Sequence, residues 1–238
     1  MTENNNEFIK DKTRAHVFAS TYANISIDNY YSAQKLYQSI VEAEYNELVL
    51  PPNTYSSFCE HVIITIIFSA MSIESFVNDY GASCLGDDLF YKDFDRLSVL
   101  SKLQLISTFL FKEPLDKKQS YYSHTKELFS YRDSLVHSKS RSMDWYLEKK
   151  GIELFKEEPE EKEFLIEKIL IDQEEVKKDY HALENAIKAL RDIAYFFEKH
   201  DKNSSALWQF FNLSGFSSRD QTAANYVVKK FGIKKINC

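Results

Sequence analysis

An arginine and a histidine five positions apart are the residues of this chain whose types and spacing most directly suggest chemistry. Arg132 and His137 lie in the stretch LFSYRDSLVHSK, residues 128–139. Arginine stays charged and can bind a phosphate through two parallel hydrogen bonds. Histidine, with an unperturbed pKa near ~6.5, can take up and release protons at neutral pH. Together the two side chains suggest acid–base chemistry at a phosphate group.

The surrounding pattern predicts that this pair lies at the end of an amphipathic helix. Five residues of an α-helix correspond to a rotation of about 140°, so Arg132 and His137 would not share a face of a straight helix. Either the helix loosens near His137, or the long arginine side chain wraps round, or the two residues meet across a symmetric interface. The apolar stripe that predicts the helix consists of Leu128, Phe129, Leu135 and Val136.

Composition indicates a globular helical protein. Of the 238 residues, 44% are hydrophobic and 28% are charged, which excludes a disordered chain. Only five glycines and four prolines are present, and this scarcity of turn residues favours long helices over many short strands. The net charge of −6 argues against a broad nucleic-acid surface, since such binding depends on neutralising phosphates. A small site with local positive charge is compatible with it.

Cysteine usage and hydropathy predict a cytoplasmic protein. Cys59, Cys84 and Cys238 have neither disulfide-framework nor zinc-site spacing, which indicates free thiols in a reducing compartment. Residues 1–10 are polar and contain no signal-peptide core. The longest apolar run, residues 62–71, is too short to span a bilayer, so no membrane contact is expected.

Apolar periodicity predicts an all-α fold, an up-and-down bundle of four to five long helices with an irregular insertion and a C-terminal helical extension. The second helix is the most apolar. Residues 62–68 within it are β-branched and could form a strand, but the pattern continues without a turn signal, so we predict a central buried helix. The predicted helices span residues 28–48, 55–84, 97–111, 120–137, 173–200 and 222–231.

Turn signals and composition divide the chain further. Asn53 and Thr54 are predicted to cap the second helix, and Gly81 and Gly86 to mark its end. We expect a disordered tail over residues 1–14, one helical domain over 15–200 and a C-terminal extension over 201–238. Within the domain, an insertion at about 144–172 would form two short strands or a short helix, and its acidic run 157–161 would be solvated.

Three stretches resemble the HEPN superfamily, and the RiboL-PSP-HEPN and abortive-infection types in particular. Arg132-Asp-x-x-Val-His137 is similar to the Arg-x4-His signature at the end of a core helix. Residues 69–80 resemble an earlier core helix with the pattern Ile-Glu-x-Phe-x-Asn, and residues 97–103 resemble a leucine-containing segment that includes a lysine, here Lys102. In order and spacing, the resemblance covers about residues 55–140.

The resemblance implies a metal-independent endoribonuclease that acts as a toxin or phage-defence effector. His137 would be the general base or acid at a ribose 2′-hydroxyl, which attacks the adjacent phosphate and leaves a 2′,3′-cyclic phosphate. Arg132 would stabilise the charge on the phosphate oxygens. No cofactor or metal is implied, because the RNA carries its own nucleophile. The implied partners are RNA, a second copy of the chain in a homodimer, and an antitoxin or defence-system protein.

Further residues could support this pair. Asp133, and more weakly Ser134, could orient Arg132 or His137 by hydrogen bonding. Glu74 and Asn78 lie four residues apart, so they share one face of the most apolar helix. A charged glutamate there is costly unless it is paired. Glu74 therefore either pairs with Arg132 or reaches solvent at the helix edge.

Three basic residues are candidates for RNA binding. Lys139 and Arg141 follow the motif in a Ser/Lys/Arg loop, where positive charge is concentrated. Lys102 is expected to be a surface lysine, with a phosphate contact as the alternative. The remaining histidines show no metal-ligand spacing, and we interpret them as ordinary residues. They are His16, His61, His124, His181 and His200.

A non-catalytic interpretation competes with the nuclease. Arg132 could simply lie on a helix face, and His137 could cap the helix C-terminus, where positive charge is favourable. The domain would then be a helical module that binds a nucleotide, an RNA or a protein partner. Exposure of Arg132 and His137 in a groove would favour the nuclease, and a buried private salt bridge would favour the module.

Overall fold

Helices are the regular secondary structure of the part of the chain that the structure, a computed structural model, describes. The described residues are 17–46, 48–51, 53–136, 173–211 and 222–234, and no strand occurs among them. The all-α prediction is confirmed. The predicted tail 1–14 and insertion 144–172 lie outside the described residues.

The first two helices form a long antiparallel pair. Helix α1 spans Val17–Tyr45, so it begins well before the predicted start at residue 28. Its early part packs closely on α2 through small residues: Ser72 Oγ donates to the Ala19 carbonyl at 2.7 Å, and the hydroxyls of Ser26 and Ser69 lie 2.6 Å apart. The apolar pattern missed this part because alanines and serines carry little hydrophobic signal.

Helix α2 spans Thr54–Leu85, within one residue of the prediction at each end, and it excludes the strand interpretation of residues 62–68. Asn53 precedes it in the left-handed region with φ 64° but makes no side-chain cap, and Gly86 follows with φ 90°. By length and composition alone α2 could cross a membrane. Its apolar side chains are nevertheless packed in the core, as for Phe58, Val62, Ile66, Ile73 and Phe76.

We predicted that Gly81 marks the end of α2, and this is wrong: Gly81 lies buried inside the helix. After α2 come the short helix α3, Asp87–Leu89, and a π-helical turn, Phe90–Phe94. The fully buried ring of Phe90 lies against Gly81, where an added Cβ would be 2.2 Å from the ring. The glycine therefore provides the space that the aromatic ring fills.

Five further helices complete the described bundle. They are α4 (Val99–Phe109), α5 (Ser120–Val136), α6 (Gln173–His200), α7 (Ala206–Phe211) and α8 (Thr222–Lys230). Helix α6 has the predicted bounds and packs on α2 and α5. The aromatic side chains Phe210 of α7 and Phe197 of α6 both contact Phe76 of α2, with ring centroids 5.1 and 4.8 Å apart. The described part of the C-terminal extension thus shares one core with the bundle.

We expect Gly81→Ala to destabilise the protein. At an ordinary helix position this change is stabilising by about 1 kcal/mol. Here the new methyl would collide with Phe90, and overpacking of this kind typically costs about 1–3 kcal/mol. Urea denaturation measures the effect. In a protein that already carries Phe90→Leu, Gly81→Ala should lower the unfolding free energy by less than it does in the wild type. A Gly81→Ala protein that is more stable than the wild type would contradict this packing.

Candidate functional site

Arg132 lies on the last described turn of α5, where that helix approaches α2. Its Nη1 lies 3.8 Å from Glu74 Oε2, so the predicted pairing is confirmed. The guanidinium carbon lies 5.0 Å from the centroid of the Phe129 ring, one turn earlier on α5. The Arg132 side chain is 29% exposed and that of Glu74 is 37% exposed. The ion pair is therefore at the surface. The two alternatives for Glu74, pairing with Arg132 and exposure to solvent, are both true.

Asp133 also holds Arg132. Its Oδ1 lies 2.9 Å from Arg132 Nε, which makes a close ion pair. The direction of the N–H bond misses the oxygen, however, and within the described part of the chain the buried Nε makes no hydrogen bond. An unsatisfied buried donor costs free energy. Among the described residues, the arginine is thus restrained by charge, and its Nε is not held by a hydrogen bond.

Ser134 does not contribute to this arrangement as predicted. Its hydroxyl donates to the carbonyl of Tyr131 at 2.7 Å, within α5, rather than to Arg132. His137, Lys139 and Arg141 lie outside the described residues. The expected Arg–His geometry and the two basic contacts after the motif therefore remain predictions.

Lys102 is not the surface lysine that we expected. It is only 1% exposed, and its Nζ donates to Asn78 Oδ1 at 2.8 Å. The ammonium also lies 6.0 Å from the centre of the Phe90 ring. Its helix, α4, lies against α2, which turns the side chain inward. A direct phosphate contact requires an exposed amine, so the structure assigns Lys102 a role in holding Asn78 instead.

The result is two polar links on one face of α2. Glu74 binds the arginine of α5, and one turn later Asn78 binds the lysine of α4. The lysine of the second link is buried, whereas both side chains of the first link are partly exposed. Chemically, the first link offers a partly exposed cation beside two carboxylates, Glu74 and Asp133.

A histidine–carboxylate pair that sequence reasoning did not find lies elsewhere in the molecule. His124 Nδ1 is 2.9 Å from Asp192 Oδ2, and the other oxygen of this buried carboxylate lies 2.7 Å from Arg191 Nη2. The partners are 68 positions apart, so no local pattern connects them. Asp192 also lines a cavity of about 420 Å³ between α6 and the segment that joins α4 to α5.

The other described histidines have structural partners. His61 shares a hydrogen bond of 2.7 Å with Asn29, and His181 lies 3.6 Å from Glu127. His200 stacks on Phe111 with ring centroids 4.9 Å apart, and burial lowers the pKa of its imidazole. Among the described residues, no group of three or more His, Cys, Asp or Glu residues could hold a metal ion.

Comparison with known proteins assigns no family. No protein-family model matches the chain, and neither the curated proteins nor the solved structures contain a significant match. The resemblance to the HEPN superfamily therefore depends on the three sequence stretches alone.

We expect the stability of the protein to depend on the aliphatic stem of Lys102 more than on its charge. Lys102→Ala would leave a cavity in the core and should cost about 2–5 kcal/mol of unfolding free energy. Lys102→Met fills most of the same volume and should cost less than about 1.5 kcal/mol. Urea denaturation of both variants compares these effects. A surface lysine would show changes within about 0.5 kcal/mol for both, which would contradict the buried position.

Proposed function

We propose that this protein is a metal-independent endoribonuclease of the HEPN type, which acts as a toxin or phage-defence effector in the cytoplasm. The single observation that supports this most is the partly exposed side chain of Arg132, which is paired with Glu74 and lies five residues before His137. A restrained, exposed arginine suits a phosphodiester, whose non-bridging oxygens accept two parallel hydrogen bonds.

In this proposal Arg132 binds the scissile phosphate. A rotation of its side chain away from Asp133 would free Nε, which has no hydrogen bond in the described part of the chain. Nε and Nη2 would then present the two donors that a phosphate accepts. Glu74 and the Phe129 ring keep the guanidinium near this position, which reduces the conformational entropy lost on binding.

His137 supplies the acid–base chemistry. It removes the proton of the ribose 2′-hydroxyl, whose oxygen forms a bond to phosphorus while the bond from phosphorus to the 5′-oxygen breaks. The leaving oxygen takes up a proton from a general acid, a second histidine or water. The products are a 2′,3′-cyclic phosphate end and a 5′-hydroxyl end, and Arg132 stabilises the charge on the phosphate oxygens as the bonds exchange.

We further propose that the active form is a homodimer. Helix α5 remains regular through Val136, and a side chain five residues after Arg132 on such a helix would point about 140° away from it. A two-fold axis near the end of α5 would bring Arg132 of one protomer toward His137 of the other. Lys139 and Arg141 would add positive charge for RNA beside this cleft, and an antitoxin or defence-system protein would restrain the activity.

One observation favours a second candidate function, a non-catalytic module that binds RNA, a nucleotide or a protein partner. Arg132 already has two carboxylate neighbours, Glu74 and Asp133. These charges weaken its attraction for a phosphate. In this alternative the arginine serves mainly to join α5 to α2, and RNA stays intact.

RNA cleavage in EDTA tests the proposal. We expect wild-type protein to cleave RNA. His137→Ala should cleave about 10²–10⁴-fold more slowly. Arg132→Ala should cleave about 10²–10³-fold more slowly, as is typical when a donor that stabilises charge in the transition state is removed. His181→Ala removes a surface histidine of α6 and should cleave at the wild-type rate. Cleavage assays and analysis of the RNA ends provide the readout, and thermal melts check the fold.

Two results would contradict the proposal. If folded wild-type protein leaves RNA intact, the binding module is favoured. If all four proteins cleave equally, the activity belongs to another site or to a contaminant, and Arg132 and His137 have no catalytic role.

A further inference from the structure

One face of α1 changes from covered to exposed along its length. Tyr30, Gln34, Tyr37, Val41 and Tyr45 follow each other at steps of four, three, four and four residues, so they form a single stripe. The first three positions are covered by α6 and α8. The last two are open to solvent, with Tyr45 87% exposed.

The covered half shows what this stripe binds. Lys230 of α8 donates to Gln34 Oε1 at 2.7 Å and to the Tyr180 hydroxyl at 2.9 Å, and it lies 2.9 Å from Glu184 Oε1. Its ammonium lies 5.4 Å from the centre of the Tyr30 ring. The apolar side of α8 packs beside it, with Phe231 contacting Tyr30 and Tyr226 contacting Tyr31. The covered half of the stripe is thus bound by α8, an amphipathic helix that carries a lysine.

The open half continues this binding face. A shallow groove of about 600 Å³ begins at Gln34, the residue that Lys230 binds, and runs along α1 past Tyr37 and Val41 to Tyr45. Beyond it, Leu48 and Val49 are 63% and 92% exposed. Four large apolar side chains exposed within nine residues are more than scattered surface hydrophobics, which are usually single.

The polar groups of the groove repeat those of the covered half. Gln38 lies one turn after Gln34, and Glu42 offers a carboxylate as Glu184 does under Lys230. Glu44 adds a second exposed carboxylate nearby. A two-fold contact between copies of this surface would bring like charges together, whereas a basic segment would be complementary to it.

We propose that this open half of the α1 stripe, Val41, Tyr45, Leu48 and Val49 with Glu42, is a docking surface for a basic amphipathic helix of another protein. Apolar side chains of that helix cover Val41 and Tyr45, and a lysine or arginine binds Glu42 and Gln38. This inference does not depend on the ribonuclease activity, because the surface shares no residue with the Arg132 site.

A peptide with the sequence of residues 222–234, TAANYVVKKFGIK, is the probe, because it carries the chemistry that α8 shows. Fluorescence anisotropy with the full-length protein measures its binding. We expect Val41→Ala combined with Tyr45→Ala to weaken binding about 10-fold, as for the loss of central apolar anchors. Glu42→Gln should weaken it about 3-fold, consistent with an exposed charge pair. Phe109→Ala, at an exposed apolar position on α4, should have no effect.

Three results would overturn the proposal. The first is no binding of the peptide to wild-type protein. The second is equal binding to wild type and to the Val41/Tyr45 variant, which would place the peptide at the site of α8 or elsewhere. The third is a concentration-dependent dimer, detected by analytical ultracentrifugation, that Tyr45→Ala disrupts, because the occupant would then be a second copy of this chain. A peptide with Lys229 and Lys230 changed to glutamate should bind at least about 10-fold more weakly, because it loses the charge complementarity to Glu42.

Discussion

The burial of α2 is the constraint on which the rest of the described structure depends. This helix packs against α1, α4, α5 and α6, and its core positions are apolar. Every polar group that it carries must therefore find a hydrogen-bond partner within α2 or on a neighbouring helix, or reach solvent. Thr65 donates to the His61 carbonyl of α2 itself at 2.8 Å. Ser69 and Ser72 are satisfied by α1, Asn78 by α4 and Glu74 by α5. These few polar residues determine where the surrounding helices attach.

The proposed site follows from this arrangement. Glu74 lies where α2 emerges at the surface, and its charge attracts Arg132 from α5. One turn further along, the Asn78–Lys102 link ties α4 to the same face. The arginine is thus held by a helix that packs against four others, while its side chain is partly exposed. This partly exposed arginine on a well-packed helix is what the proposed phosphate recognition depends on.

The sequence allowed the prediction of features that carry a strong periodic or electrostatic signal. The apolar periodicity of residues 173–200 predicted the bounds of α6. The unfavourable charge of Glu74 in an apolar helix indicated that it either pairs with Arg132 or reaches solvent, and both occur. Features that depend on shape were missed. The early part of α1 packs through alanine and serine, and Gly81 accommodates an aromatic ring rather than a turn. The burial of Lys102 depends on how α4 is oriented, which its local sequence does not reveal.

The link between the Glu74–Arg132 pair and RNA chemistry is tested most directly by a double-mutant cycle on cleavage in EDTA. Glu74→Gln keeps the shape of the side chain but removes its charge, and Arg132→Lys keeps the charge but removes the two-point contact. If Glu74 acts by orienting Arg132, the double variant should be no slower than Arg132→Lys alone. Rate losses that multiply would show that the two residues act independently, and an inactive, folded wild-type protein would contradict the nuclease proposal itself.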